Sequence, residues 1–315
     1  MQVQNQQQEK TNNGRKVGVI YCPRPGGNRR WKKIRRCMDE SGLDYDYVRS
    51  ENSIDVERIA AIMTKNAYTE IWIVGGDAAL NYAINGMMKT AEPGAKMPFL
   101  AVIPAGYSND FARYWEMYSG DYRKIIQGFV SRRTRRIDIG RCVLETKNEQ
   151  RTLYFLNCIN VGVAASIMNL KHLTFSIFGL RTVSYFLSAF MLLFSRMIYK
   201  LHFTTAGEDV EKQAMTLCIG SARGYGQTPS AVPYNGLLDM TLVTTPKITQ
   251  LFHGLYLLIT GRFLSHKGIS VWRTRLVDFS RLSDAPVSLD GRYVCNRVKR
   301  MKVDVLKEAI EFLII

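Results

Sequence analysis

The sequence predicts an α/β amino-terminal domain, an open and mostly parallel sheet, followed by a β-sandwich domain. Three observations carry this reading. Apolar strand-like runs alternate with helical segments over the first 130 residues, and loops containing glycine follow three of those runs directly. From about residue 136 the pattern changes to short β-like runs separated by turns. With 315 residues, 46% of them apolar, the chain is long enough for one large domain or two ordinary ones with real cores.

The elements follow in order. The first thirteen residues, "MQVQNQQQEKTNN", are polar and predict a disordered tail over 1–13, with none of the apolar core of a secretory signal. "KVGVIYC" is the first strand, followed by "PRPGGN" and a basic helix in which Trp31, Ile34, Cys37 and Met38 fall near helical spacing. "DYDYVRS" is the second strand. Ser53 is placed to cap the next helix, with Asp55 and Glu57 in its first turn, where negative charge complements the helix dipole. "EIWIV" is the third strand, followed by "GGDAA" and a helix carrying Leu80, Ile84 and Met87 on one face. "FLAVIP" is the fourth, followed by "AGYSNDFARYW". This α/β unit spans 14–134.

In open α/β sheets, ligands bind beyond the carboxyl ends of the strands. The loops "PRPGG", "GGDAA" and "AGYSND" all occupy that position, which predicts a phosphate or nucleotide cleft.

The second domain, 135–296, is read from "RIDIGRCVL", "TLYFLNCINV", "KLHFTTA", "MTLCIGS", "LLDMTLVT", "SVWRTRLVDFS" and "APVSLD", interrupted by apolar helical regions at 171–197 and near 247–264. The longest apolar stretch, "TVSYFLSAFMLLFS" (182–195), is shorter than the roughly 20 residues a membrane-spanning helix needs. It predicts a buried or interfacial helix. The closing segment, 297–315, has a strand pattern that could return to either domain.

Composition excludes several classes. Six scattered cysteines without a CxxC pair argue against a disulfide frame or a zinc site and imply a reducing, cytoplasmic setting. Four histidines with no HExxH motif argue against a histidine-held metal. The formal charge is +16, bunched in "RRWKKIRR" (29–36), "RRTRR" (132–136) and "RVKRMK" (297–302). Such clusters attract acidic small molecules, nucleic acid or an anionic membrane surface. The aromatic platform repeats of a single-strand nucleic-acid binder are missing, so nucleic acid is not the expected partner.

"VGGDAALNYAING", "AVIPAGYSNDFAR", "RRIDIG", "FGLRTVSYF", "VPYNGLLDMTLV" and "VSLDGRYV" occur in the order and spacing of the diacylglycerol kinase/sphingosine kinase-type lipid kinases. The resemblance runs from Lys16 to the carboxyl terminus and is closest to the soluble bacterial members. It implies ATP and Mg²⁺ as cofactors and phosphorylation of a lipid hydroxyl, diacylglycerol-like. It also implies peripheral association of a cytoplasmic protein with anionic membrane, and leaves a homodimer open. Phosphoryl transfer rests on positioning and charge neutralisation, so each part can be sought in the residues.

The first loop resembles the family's Asn-Pro-x-x-Gly, with Cys22 for the asparagine and Pro23, Gly26 and Gly27 in place. The second resembles Gly-Gly-Asp-Gly-Thr. Gly75, Gly76 and Asp77 match, while Ala78 and Ala79 replace the glycine and the phosphate-binding hydroxyl. The third resembles Gly-Thr-x-Asn-Asp, with Gly106, Asn109 and Asp110 kept and Tyr107 for threonine. These are the nucleotide-side residues the resemblance implies. It places Asp77, Asp110 and Asp138 in a catalytic and Mg²⁺-organising network, and Asp239 with Gly236 in a structural Mg²⁺ loop weakened by Asn235. The family's Asp-Gly-Glu, whose glutamate accepts the proton, is here Asp290-Gly291-Arg292. An arginine stays protonated and cannot be that base, so an active member would take its acceptor from Asp290 or the Asp77 network.

Plainer roles stand beside these. Asp77 and Asp110 can cap the helices they precede, Asp138 can pair with Arg136 or Arg141, and Tyr107 can be a packed aromatic. Two functions follow from the resemblance: a lipid kinase with altered motifs, or a degenerate member that binds lipid or nucleotide without efficient transfer.

Overall fold

Four strands, β1 (Val17–Tyr21), β2 (Tyr45–Arg49), β3 (Glu70–Gly75) and β4 (Phe99–Pro104), pair in parallel in the order β2-β1-β3-β4. They belong to a computed structural model that describes residues 14–23, 27–91, 94, 96–167, 197–244 and 268–315. The expected tail at 1–13 and the apolar regions at 171–197 (apart from Met197) and 247–264 lie outside those residues. β3 is buried at all six positions, which is why it reads as an unbroken apolar run.

Helices α1 (Asn28–Glu40), α2 (Asp55–Lys65) and α3 (Asp77–Thr90) alternate with these strands. A short α4 (Asp110–Tyr114) and α5 (Tyr122–Val130) follow β4. The start of α2 differs from expectation. Asn52, not Ser53, serves its first turn: Asn52 Oδ1 accepts from the N–H of Ile54 at 2.9 Å and of Asp55 at 3.0 Å. The Ser53 hydroxyl instead lies 3.7 Å from Cys22 Sγ, across in the first loop.

The rest of the described chain is mostly β-structure: β5 (Thr134–Glu145), β6 (Gln150–Phe155), β7 (Cys158–Gly162), β8 (Tyr199–Thr205), β9 (Glu208–Ala214) and β10 (Thr216–Gly220). Then come β11 (Leu238–Val243), β12 (Ile269–Thr274), β13 (Leu276–Arg281), β14 (Val287–Leu289), β15 (Arg292–Cys295) and β16 (Arg300–Leu313). One layer of the sandwich is a six-stranded sheet in the order β12-β11-β10-β7-β14-β15, antiparallel throughout. Ile159, Val161, Leu217, Ile219 and Met240 from it pack against Phe155, Phe203, Phe279 and Val303 of the other layer.

That other layer is continuous with the parallel sheet, because β16 serves both. Its first half pairs antiparallel with β13 and β5, and near its end Phe312 pairs in parallel with Leu100 of β4. The Phe312 ring meets Phe111 edge-on at 5.2 Å in the amino-terminal core. A bulge with Glu308 at φ +49° separates the halves and turns the strand from one core to the other.

Candidate active site

Three loops gather at the carboxyl ends of β1, β3 and β4, and backbone hydrogen bonds tie them together. The Cys22 N–H donates to Val74 O at 3.0 Å, and the N–H groups of Ala105 and Gly106 both donate to Gly75 O, at 2.9 and 3.0 Å. Arg30 of α1 reaches over to Ala105 O at 3.0 Å. Gly76 and Gly106 face each other so closely that neither tolerates a side chain. A Cβ on Gly106 would stand 2.3 Å from Gly76 Cα, and one on Gly76 would stand 2.5 Å from Ser108 O. Gly27 caps α1 with its carbonyl accepting from Trp31 N–H at 3.0 Å, whereas Gly26 lies outside the described residues.

Asp77 sits at the centre of this cluster with only 4% of its surface exposed. Its Oδ2 accepts from Ser108 Oγ at 2.6 Å and from Asp110 N–H at 2.9 Å; its Oδ1 accepts from Phe111 N–H at 3.1 Å. Burial pushes its carboxyl up, and those three hydrogen bonds pull back. It therefore caps α4, the helix after the next strand, and not its own α3. Asp110 starts that capped helix.

Asn109 closes the third loop on itself: Oδ1 accepts from Gly106 N–H and Nδ2 donates to Gly106 O, both at 3.1 Å. Tyr107 is 48% exposed on that loop. Ala78 lies in the first turn of α3 with no left-handed φ, so the glycine it replaces is not required by this backbone. Ala79 is buried, its methyl 2.8 Å from where a Cβ on Gly75 would lie.

The opposite wall comes from the turn between β14 and β15, held against α3. Asp290, 2% exposed at φ +45°, has both carboxylate oxygens saturated. Oδ2 accepts from Asn81 Nδ2 at 2.9 Å and Leu156 N–H at 2.8 Å; Oδ1 accepts from the N–H groups of Asn157 at 2.8 Å and Cys158 at 2.9 Å. Burial pushes its carboxyl up to about 6 against the pull of those donors. Asn85, one turn beyond Asn81, grips the Tyr154 backbone twice, Nδ2 to O at 2.8 Å and Oδ1 from N–H at 3.0 Å. Asn81, Asn85 and Ser108 were not anticipated. The signal for the first two is a pair of asparagines four apart on an otherwise apolar helix face.

The buried Cys158 thiol is pushed up first by its hydrogen bond with Cys218 and by burial, then by the charges of Cys218, Asp290 and Asp110. Arg292 follows the turn and lays its guanidinium 4.2 Å above the Tyr82 ring of α3.

Asp138 stands apart from this wall. It is fully buried, with Oδ2 accepting from Gly236 N–H at 2.6 Å and Oδ1 from Glu308 N–H at 2.9 Å, so it locks the 233–236 loop to the β16 bulge. It pairs with neither expected arginine, because both flank it on the strand and find other acids. Arg141 makes a two-pronged pair with Asp304 at 2.9 and 2.6 Å, and Arg136 lies 3.7 Å from Glu311. Asp239 is paired across β11 and β12 with Arg273, Nε to Oδ1 at 2.6 Å and Nη2 to Oδ2 at 3.0 Å. Asn235 closes its loop by accepting from Leu237 N–H at 2.9 Å. Among the described residues, no three His, Cys, Asp or Glu side chains gather as a metal cluster, and no helix is long and apolar enough to cross a membrane.

Residues 16–142 match the diacylglycerol kinase catalytic domain, and residues 157–312 match the YegS C-terminal NAD kinase beta sandwich-like domain. A diacylglycerol kinase of Staphylococcus saprophyticus is 22% identical over 290 residues, covering 89% of each chain. One of Bacillus subtilis is 21% identical over 291 residues, covering 89% of this chain and 90% of the relative. The crystal structure of a diacylglycerol kinase from Bacillus anthracis shares the fold with a TM-score of 0.71 at 17% identity, over 95% of this chain and 97% of that one. Kinases of this kind use an ATP-type nucleotide. With both of its domains matched in order, the chain belongs to the diacylglycerol kinase-type family of lipid kinases.

Proposed function

We infer that this chain keeps the family's two-domain arrangement for binding a nucleotide and a lipid, and transfers phosphoryl groups slowly or not at all. One observation carries the reading: Arg292 stands where the resemblance puts the proton acceptor, and its guanidinium lies on the Tyr82 ring. A guanidinium cannot take a proton at neutral pH.

Three of the four carboxylates that the resemblance assigns to Mg²⁺ are already engaged. Asp77 is engaged by Ser108 and the start of α4, Asp138 by two backbone N–H groups, and Asp239 by both prongs of Arg273. Each would have to give up donors it already holds, so no step is assigned to the metal. The nucleotide fits better. The start of α3 lies directly after the carboxyl end of β3, the usual setting for phosphates. Bound there, ATP would supply the phosphoryl group, and the protein's own part would be to hold and orient it.

Peripheral association with anionic membrane is part of the proposal. It is supported by the exposed Arg29, Lys32, Lys33 and Arg36, which fall along one stripe of α1 beside the cleft.

The test is transfer from ATP to diacylglycerol in mixed vesicles by the parent and by Arg292→Glu. Little or no transfer by the parent and a gain in the variant are expected. A parent rate that the variant fails to raise would refute the reading.

A further inference from the structure

Among the described residues, Arg292 is a cation without an anion. Its guanidinium lies over the Tyr82 ring at 4.2 Å, and among those residues its buried Nε has no hydrogen-bond partner. Among the described residues, no carboxylate forms an ion pair with it. The nearest acid in sequence, Asp290, has its oxygens filled by four other donors. The long segments outside the described residues, 168–196 and 245–267, contain no aspartate or glutamate at all, so they cannot neutralise it. A buried donor of a permanent cation left unmatched is costly, and a guanidinium fork suits phosphate oxygens above other acceptors.

Its position gives the vacancy a chemical sense. Tyr82 lies four residues after Ala78, one helical turn from the "GGDAA" loop, and Asp290 meets Asn81 on the neighbouring stripe of α3. The turn between β14 and β15, with Asp290 at φ +45° and Gly291 at φ +76°, fixes Arg292 against α3.

We propose that Arg292, braced on Tyr82, is a phosphate-monoester receptor where the β14–β15 turn meets α3. The chain thus receives a ligand that already carries a phosphate where the family resemblance predicts activation of a hydroxyl. Two sources present that chemistry: the terminal phosphate of a nucleotide and the headgroup of a phosphorylated lipid. The proposal rests on the reading that puts Arg292 at the acceptor position, but the site holds its ligand whether or not any transfer follows.

The experiment compares the parent with Arg292→Gln and Tyr82→Ala, each shown by circular dichroism to melt like a folded protein. Binding of ATP and of inorganic phosphate is measured by calorimetry in one arm. The other arm measures flotation with phosphatidylcholine vesicles with and without phosphatidic acid. Arg292→Gln is expected to weaken one arm by about tenfold or more, and Tyr82→Ala to weaken the same arm. Loss in the nucleotide arm identifies a nucleotide phosphate; loss confined to phosphatidic acid vesicles identifies a lipid headgroup. If the parent binds neither probe, or both variants bind as the parent does, the proposal is overturned. Absence of phosphoryl transfer leaves these binding outcomes unchanged, so the two readings fail separately.

Discussion

The carboxylate of Asp77 caps the helix that begins at Asp110, accepting its first N–H at 2.9 Å and the next, from Phe111, at 3.1 Å. An aspartate at the start of one helix thereby fixes the start of another, and the second and third loops move as one unit. Asp77→Ala strands two helix N–H groups and the Ser108 hydroxyl, and is expected to cost about 2–3 kcal/mol. Asp77→Asn should lose less, because one oxygen remains, yet it turns an amide N–H toward donors. Urea denaturation of both variants checks this; unfolding midpoints equal to the parent's would remove the capping role. Asp77→Asn is consequently no clean probe of catalysis.

Gly76 and Gly106 crowd each other too closely for either to carry a side chain. Gly106→Ala places a methyl 2.3 Å from Gly76 Cα and 2.6 Å from its nitrogen, both rigid backbone atoms. A loss of about 3 kcal/mol, or failure to accumulate as folded protein, is expected. Ala78→Gly, in an ordinary first turn of α3, should cost only about 1 kcal/mol. Thermal melts of the two variants would contradict this account if Gly106→Ala were the milder.

What the sequence revealed follows the range of the interactions. The strands β1, β3 and β4 announce themselves because burial on both faces leaves an unbroken apolar run, and the loops because glycine is needed at each backbone approach. The family and its two-domain fold were legible for that reason. Partners distant in sequence were not. Arg273 is 34 residues from Asp239, and Glu308 is 170 residues from Asp138. The double service of β16 depends on a bulge that no periodicity marks. The cap falls one position before Ser53 because the adjacent Asn52 carries acceptor chemistry of the same kind.

Arg273 occupies with a guanidinium the side of Asp239 where the family resemblance implies a structural Mg²⁺. The pair is two-pronged, but Arg273 is half exposed, so solvent screens it. Arg273→Ala should cost about 1 kcal/mol and leave Asp239 seeking a cation. Millimolar Mg²⁺ should then raise the melting temperature of the variant and leave the parent unchanged. An equal response in both proteins would show that the guanidinium does not stand in for a metal.

Asp290 should make stability fall as pH rises. Its folded carboxyl titrates near 6, above the roughly 3.9 of an unfolded aspartate. Below about pH 4 it is protonated in both states, and its burial carries no charge. Between about pH 4 and 6 the unfolded chain gives up the proton while the folded protein still holds it. The stability this proton contributes is therefore lost as pH climbs through about 6, amounting to about 3 kcal/mol at most. Asp290→Asn, which cannot titrate, removes that slope. It also turns an amide N–H toward two of the four donors and should be less stable than the parent at every pH. Denaturant midpoints for both proteins across this range isolate the contribution; parallel pH profiles would show that the carboxylate is ionised throughout. The same ionisation bears on chemistry, because an Asp290 that accepts a proton can do so only once its own has left. Any transfer by the parent should rise through about pH 6, in step with the loss of stability.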